Sequence, residues 1–264
     1  MTLSHQSKIY ILIALAVICC GIVLFLPPVP QDPAYHDFSD KRSLWGISNF
    51  GDTMSNIPYL FVGILGVLAV RRRKNDADCF QNSFERRTLL TVFAGIFLVG
   101  FGSGYYHLSP DNGTLFWDRL PMTIGFMALY AMLIGERVHE KTGQILFPVL
   151  LVLGIGSALY WHVSEQMGRG DLRFYAMVQF FPLLTAPLIL LMFKPKYSGT
   201  KYLWWLMLCY AGAKFAEHFD EEIFEALGHA VSGHTLKHLS SALGTYYLVL
   251  YVQRRTRIKQ ALPD

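Results

Sequence analysis

Five residues in this chain have the types and spacing of a hydrolytic centre. Ser103 and His107 stand four apart in "GSGYYHLSPDNGTLFWDR", and Asp118 closes the same stretch. His234 and His238 are again four apart in "GHTLKH". On a helix, residues four apart differ by about 40° in azimuth, so each pair shares a face. Serine, histidine and aspartate together first suggest a nucleophilic triad. The second histidine pair changes that reading, because histidines at i and i+4 are a common zinc-ligand spacing. With His107 as third ligand, the set would leave one position open for water, whose pKa zinc would bring to about 7. No neutral base is evident to activate Ser103, whereas a metal activates water directly.

The elements that position these residues are membrane helices. The 264-residue chain is 53% hydrophobic and only 16% charged, with the charges in blocks between long apolar runs, and its mean hydropathy is +0.33. That is too apolar for an ordinary soluble domain. Eight segments approach the roughly 20 residues a bilayer crossing needs: 8–27, 50–70, 89–107, 117–134, 145–162, 173–193, 202–219 and 235–252. The first reads as a retained helix, because "FLPPVPQDP" lacks a small-residue cleavage pattern. The expected architecture is all-α, a polytopic membrane bundle with no repeat and no soluble domain.

Eight crossings put both termini on one side, together with loops 71–88, 135–144 and 194–201. Most of the chain's 23 lysines and arginines fall there, so that side is expected to be cytoplasmic. The opposite side gathers the acidic residues and histidines, including all five residues above. Topology and anionic headgroups account for the basic face, and nothing in it suggests a nucleic-acid groove. The four cysteines read as free thiols, Cys19, Cys20 and Cys209 in membrane segments and Cys79 in a basic loop.

Three blocks, "SNIPYLFVG", "GSGYYHLSPDNGTLFWDRLPM" and "SGHTLKHLSSALGTYY", resemble in this order the signatures of the alkaline ceramidase family. "GDLRFYAMVQFFP" and "AKFAEHFDEEI" resemble its bacterial-type branch. The resemblance spans about 36–252 and implies a seven-helix core, here preceded by one extra transmembrane helix. The implied division is 1–30 for that helix, 31–253 for the core and 254–264 for a basic cytoplasmic tail. By the resemblance, His107, His234 and His238 bind zinc, Asp118 positions and deprotonates the attacking water, and Ser103 donates to the water or the developing oxyanion. The implied activity is hydrolysis of the N-acyl bond of ceramide or a related membrane lipid, in a plasma or bacterial inner membrane, with the site toward the non-cytoplasmic face. Family members can also carry calcium around their first core helix. In the matching stretch Asp40 falls near a ligand position, Asn49 stands where an acidic ligand is expected, and Asp37 and Asp52 could substitute. Calcium is thus carried as a second cofactor to look for.

Near the site, Lys214, Glu217, Asp220 and Glu221 share a helical face. They are either a buried network orienting the histidines or an interfacial ion-pair cluster. His162, His218 and His229 read as interfacial or structural. Tyr105, Tyr106, Trp117 and Trp161 read as an aromatic belt, and Asp171 with Arg173 as a loop salt bridge. Two other functions fit the same residues: a zinc-dependent lipid esterase or phospholipase, and a membrane receptor whose zinc is structural.

Overall fold

The computed structural model describes residues 3–258. It is all-helical, with no strand among the described residues beyond two isolated bridges. The helices are α1 (His5–Phe25), α2 (Phe50–Met54), α3 (Ile57–Arg72), α4 (Ser83–Leu108), α5 (Asn112–Arg137), α6 (Glu140–Gln166), α7 (Arg173–Met192), α8 (Thr200–His218), α9 (Asp220–Ala226) and α10 (Gly233–Arg254). Five spans are long and apolar enough to cross a membrane: α1, α2 with α3, α4, α6 and α7. Helices α5, α8 and α10 have similar lengths, and α5 and α10 turn polar residues such as Asp118, Arg119, His234 and His238 into the bundle.

Helix α1 is apolar on every side and buries none of its residues, as expected of a helix facing lipid. It lies against α7. The other long helices form a ring in which neighbours pack in the order α8, α10, α3, α4, α5, α6, α7. The ring does not close tightly, because α7 and α8 lack close backbone packing and meet through a hydrogen bond from Gln179 Nε2 to Tyr210 Oη of 2.8 Å.

The α4–α5 hairpin is tighter than the sequence suggests. Asn-Gly is a strong turn dipeptide, yet Asn112 and Gly113 both lie in the first turn of α5. The turn is Ser109–Asp111, and Asp111 opens α5 with a capping box. Its carboxylate accepts the Thr114 N–H at 2.7 Å, and Thr114 Oγ1 accepts the Asp111 N–H at 3.1 Å. The Thr114 N–H, which donates to that carboxylate, also holds the Asp111 carboxyl below the usual range.

The far end of the bundle holds a buried charge cluster. Arg255, the second residue of the expected basic tail, is fully buried and reaches Glu136 at 3.2 Å and Glu85 at 3.5 Å. Tyr197 Oη and Lys196 Nζ also reach Glu85, each at 2.7 Å. The two carboxylates, on α4 and α5, draw the start of the tail inward. Residues 259–264 of the expected tail, Lys259 among them, lie outside the described residues.

Candidate metal centre and its cavity

His107 ends α4, and His234 and His238 lie on the first two turns of α10. Their candidate ligand nitrogens all lie within 4.8 Å of one another, and all three side chains are buried. Two close approaches bring the helices together. A Cβ on Gly102 would stand 2.0 Å from the Trp117 carbonyl oxygen, so a bare glycine lets α4 touch α5. A Cβ on Gly233 would stand 2.2 Å from the Ala216 carbonyl oxygen, so α10 likewise sits directly on the end of α8.

Each histidine is held from outside. Ser55 Oγ lies 2.8 Å from His238 Nδ1 and donates its own proton to the Asp52 carbonyl at 3.0 Å. That arrangement makes His238 Nδ1 the protonated nitrogen and leaves Nε2 with a free lone pair. Asp220 Oδ1 accepts the His234 backbone N–H at 2.6 Å, which fixes the start of α10. Asn49 Nδ2 donates to the His107 carbonyl at 2.8 Å. His107 Nδ1 is buried with no partner. An orphaned imidazole nitrogen beside two converging imidazoles is the donor set of a divalent transition metal, so the three residues fit zinc. The Phe38 ring covers the cluster, 4.6 Å from the ring of His107 and 4.5 Å from that of His234.

Ser103, Asp118 and His238 line one cavity of about 340 Å³ inside the helix ring. From this polar end the cavity runs between Val92, Ile96, Val99, Leu129 and Leu248, an apolar sleeve suited to a hydrocarbon chain. Three of the five central residues of the sequence reading thus line this cavity, and His107 and His234 stand beside His238 in the histidine cluster. That reading missed Ser55, Phe38 and Lys237. Lys237 Nζ lies 3.3 Å from His234 Nε2 and 2.6 Å from Glu217 Oε1.

The expected network beside the site divides in two. Glu217 pairs with Lys214 and Lys237, whereas α8 stops at His218 and a new helix begins at Asp220. The break carries Asp220 to the backbone of α10 and leaves Glu221 exposed. The aromatic belt also needs correction: Tyr105 and Trp117 are exposed, but Tyr106 and Trp161 are buried. Tyr106 Oη bonds His36 Nδ1 at 2.8 Å, and Trp161 stacks under Arg119. The expected Asp171–Arg173 pair is present at 2.7 Å and holds the Asp171 carboxyl below its ordinary range.

The four residues weighed for calcium do not converge. Asp37 pairs with Lys41 at the surface. Asp40 is gripped by Arg42, whose Nε and Nη2 each donate at 2.7 Å. Burial alone would raise the Asp40 carboxyl, but the hydrogen bonds and charge of Arg42 outweigh it and hold it low. Asn49 is spent on His107, and Asp52 Oδ1 takes Ser232 at 2.9 Å and Thr235 at 2.7 Å. Only Asp52 Oδ2 is left buried and unpartnered, far short of six to eight oxygens. As arranged, these residues do not fit calcium.

Residues 44–261 match the sequence profile of the ceramidase family. The chain belongs to the ceramidase family. No curated protein matches it significantly. Membership supports a ceramide-hydrolysing activity, with the amide as the bond cut. The match begins after α1 and after the segment carrying Phe38, so both lie outside it.

Proposed function

We propose that this ceramidase-family protein is a membrane-embedded, zinc-dependent amidohydrolase that cleaves ceramide or a related N-acyl lipid into a long-chain base and a fatty acid. The observation that carries the reading is the convergence of His107, His234 and His238, with His238 lining an apolar cavity that Ser103 and Asp118 also line. The histidines would hold the metal, which would supply a Lewis acid for the carbonyl and for water. The chain's own residues do the rest. Asp118 accepts a proton from the attacking water and passes it to the leaving amine as the C–N bond breaks. Ser103 donates to the carbonyl oxygen as negative charge grows there. Phe38 closes the outer side of the histidines, so water reaches them through the cavity. The lipid would reach the cavity sideways, through the loosely packed boundary of α7 and α8 where Gln179, Phe180 and Tyr210 line it.

We place the basic loops and both termini in the cytoplasm and the site at the opposite face, with 1–30 as an added anchor, 31–253 as the catalytic bundle and the tail beyond it. Asp118→Asn tests the assignment. The variant should keep its metal, measured by elemental analysis, and lose at least about a hundredfold in fatty-acid release. His234→Ala should lose both metal and turnover. A purified protein that binds zinc yet frees no fatty acid from N-acyl lipids would leave the metal a structural role, and release from ester lipids alone would make it an esterase.

A further inference from the structure

Five charged residues line the cavity: Arg119, Lys214 and Lys237 against Asp118 and Glu217. The surplus is positive before any metal is counted. Arg119 is only 6% exposed and makes no ion pair among the described residues. Its Nη2 donates to Gln31 Oε1 at 2.7 Å, and its Nη1 has no partner. The guanidinium is instead held by aromatic faces, 4.3 Å from the Trp161 ring centre, 4.8 Å from Tyr175 and 5.4 Å from Tyr35. Aromatic faces repay part of the cost of burying a cation, but they do not use its in-plane donors. A guanidinium cannot shed its proton to escape that cost. Nη1 is thus a buried guanidinium donor left without an acceptor, and such donors bind oxyanions through charge-assisted hydrogen bonds.

Lys214 and Lys237 share one carboxylate, Glu217, and Asp118 lies in the field of both Lys237 and Arg119, so the five charges together leave one positive charge in surplus. Tyr35 joins the two parts of the wall. Its ring faces Arg119, and its hydroxyl donates to Glu217 Oε1 at 3.4 Å. All these charges lie on the cavity that Ser103, Asp118 and His238 line, and the rest of its wall is uncharged and mostly apolar. Uncompensated charge at membrane depth is costly and marks a functional contact.

We propose that Arg119, Lys214 and Lys237 receive an anionic oxyacid group carried on the polar end of the substrate, so that the preferred substrate is an acidic N-acyl lipid rather than neutral ceramide. This rests on the hydrolase reading above and narrows its substrate class. The group is recognised by its charge and by oxygens that accept from these donors, which phosphate and sulfonate both provide.

The test compares three lipids with one acyl chain on the full-length, zinc-loaded protein: ceramide, ceramide 1-phosphate, and the analogue with a sulfonate at the same carbon. Both acidic lipids should exceed ceramide in kcat/KM by at least about tenfold, the size of one charge-assisted hydrogen bond. Arg119→Gln should erase that ratio through KM for the acidic lipids, and Arg119→Lys should restore part of it. Lys214→Gln, a change at a more exposed position, should lower the ratio in the same direction and stands in if Arg119→Gln fails to fold. A preference for phosphate over sulfonate, or the reverse, would name the oxyacid. Equal or better turnover of ceramide by the wild type overturns the proposal and leaves the hydrolase standing. So does Arg119-dependent inhibition by free fatty acid with no preference among the three lipids, which would assign the wall to the product. Affinity measured on Asp118→Asn protein separates the two readings. Tighter binding of ceramide 1-phosphate than of ceramide, lost with Arg119→Gln, sustains the anion site even if no lipid is cleaved.

Discussion

Ser55 decides which nitrogen His238 can offer. Its hydroxyl proton is committed to the Asp52 carbonyl, so its oxygen must accept from Nδ1, and Nε2 is left for a metal. Such outer contacts orient a ligand ring and tune its basicity, and losing one typically lowers metal affinity about 10- to 100-fold. Ser55→Ala should therefore weaken zinc by about that factor in a chelator competition while the helical content stays unchanged. Unaltered affinity would mean that the ring is oriented by packing alone. At this scale the sequence was legible where chemistry is local. The i, i+4 pairs announce themselves because helix geometry puts them on one face. Ser55 and Phe38 did not, because each acts on a residue far along the chain: the Ser55–His238 contact spans 183 positions. Asp40 shows the converse, a carboxylate in a ligand-like position whose charge is taken by Arg42, two residues away.

At the scale of elements, the site depends on how closely helices approach. Gly102 lies beside Ser103 and touches the backbone of Trp117, next to Asp118. A methyl group there must push α5 away from α4, which would part Ser103 from Asp118. Gly104, two residues on, has only a distant neighbour at 3.9 Å. In a helix, replacing glycine by alanine at an unhindered position stabilises by roughly 0.4–1 kcal/mol, whereas forcing atoms into filled space costs about 1–3 kcal/mol. Gly104→Ala should thus raise the thermal midpoint slightly, and Gly102→Ala should lower both the midpoint and turnover. If the two variants shift alike, the α4–α5 contact is not what sets the site. Helix identity was readable from apolar runs, since a bilayer demands them. The ends were less so: the cap at Asp111 moved α5 forward, and the break after His218 redirected Asp220. Both are set by hydrogen bonds to distant or non-periodic partners, and periodicity carries no trace of those.

At the scale of the whole molecule, the N-terminal forty residues are two different things. Helix α1 buries none of its residues and lies against α7, tied by Lys8 Nζ to the Met192 carbonyl at 2.6 Å and by Arg173 to the Val23 carbonyl at 3.1 Å. The strap that follows is built into the site. The backbone N–H of Gln31 donates to Glu165 at 2.6 Å while its side chain holds Arg119. His36 joins Tyr106 and Asn112, and Phe38 caps the histidines. The expected division at residue 30 falls just before Gln31, and Gln31 and Tyr35 of the strap line the cavity. Removing residues 1–28 should leave zinc content intact and lipid hydrolysis within about twofold, since the loop with Arg71 to Lys74 still orients the next span. Removing residues 1–40 should cost at least about tenfold in turnover, because it strips the cover from the histidines and the partner from Arg119, and a site open to water loses electrostatic strength. Both truncations are read by metal analysis and fatty-acid release in the same vesicles. Equal losses would make α1 part of the enzyme's working core, and equal retention would show that the strap, despite its contacts, does not shape the site.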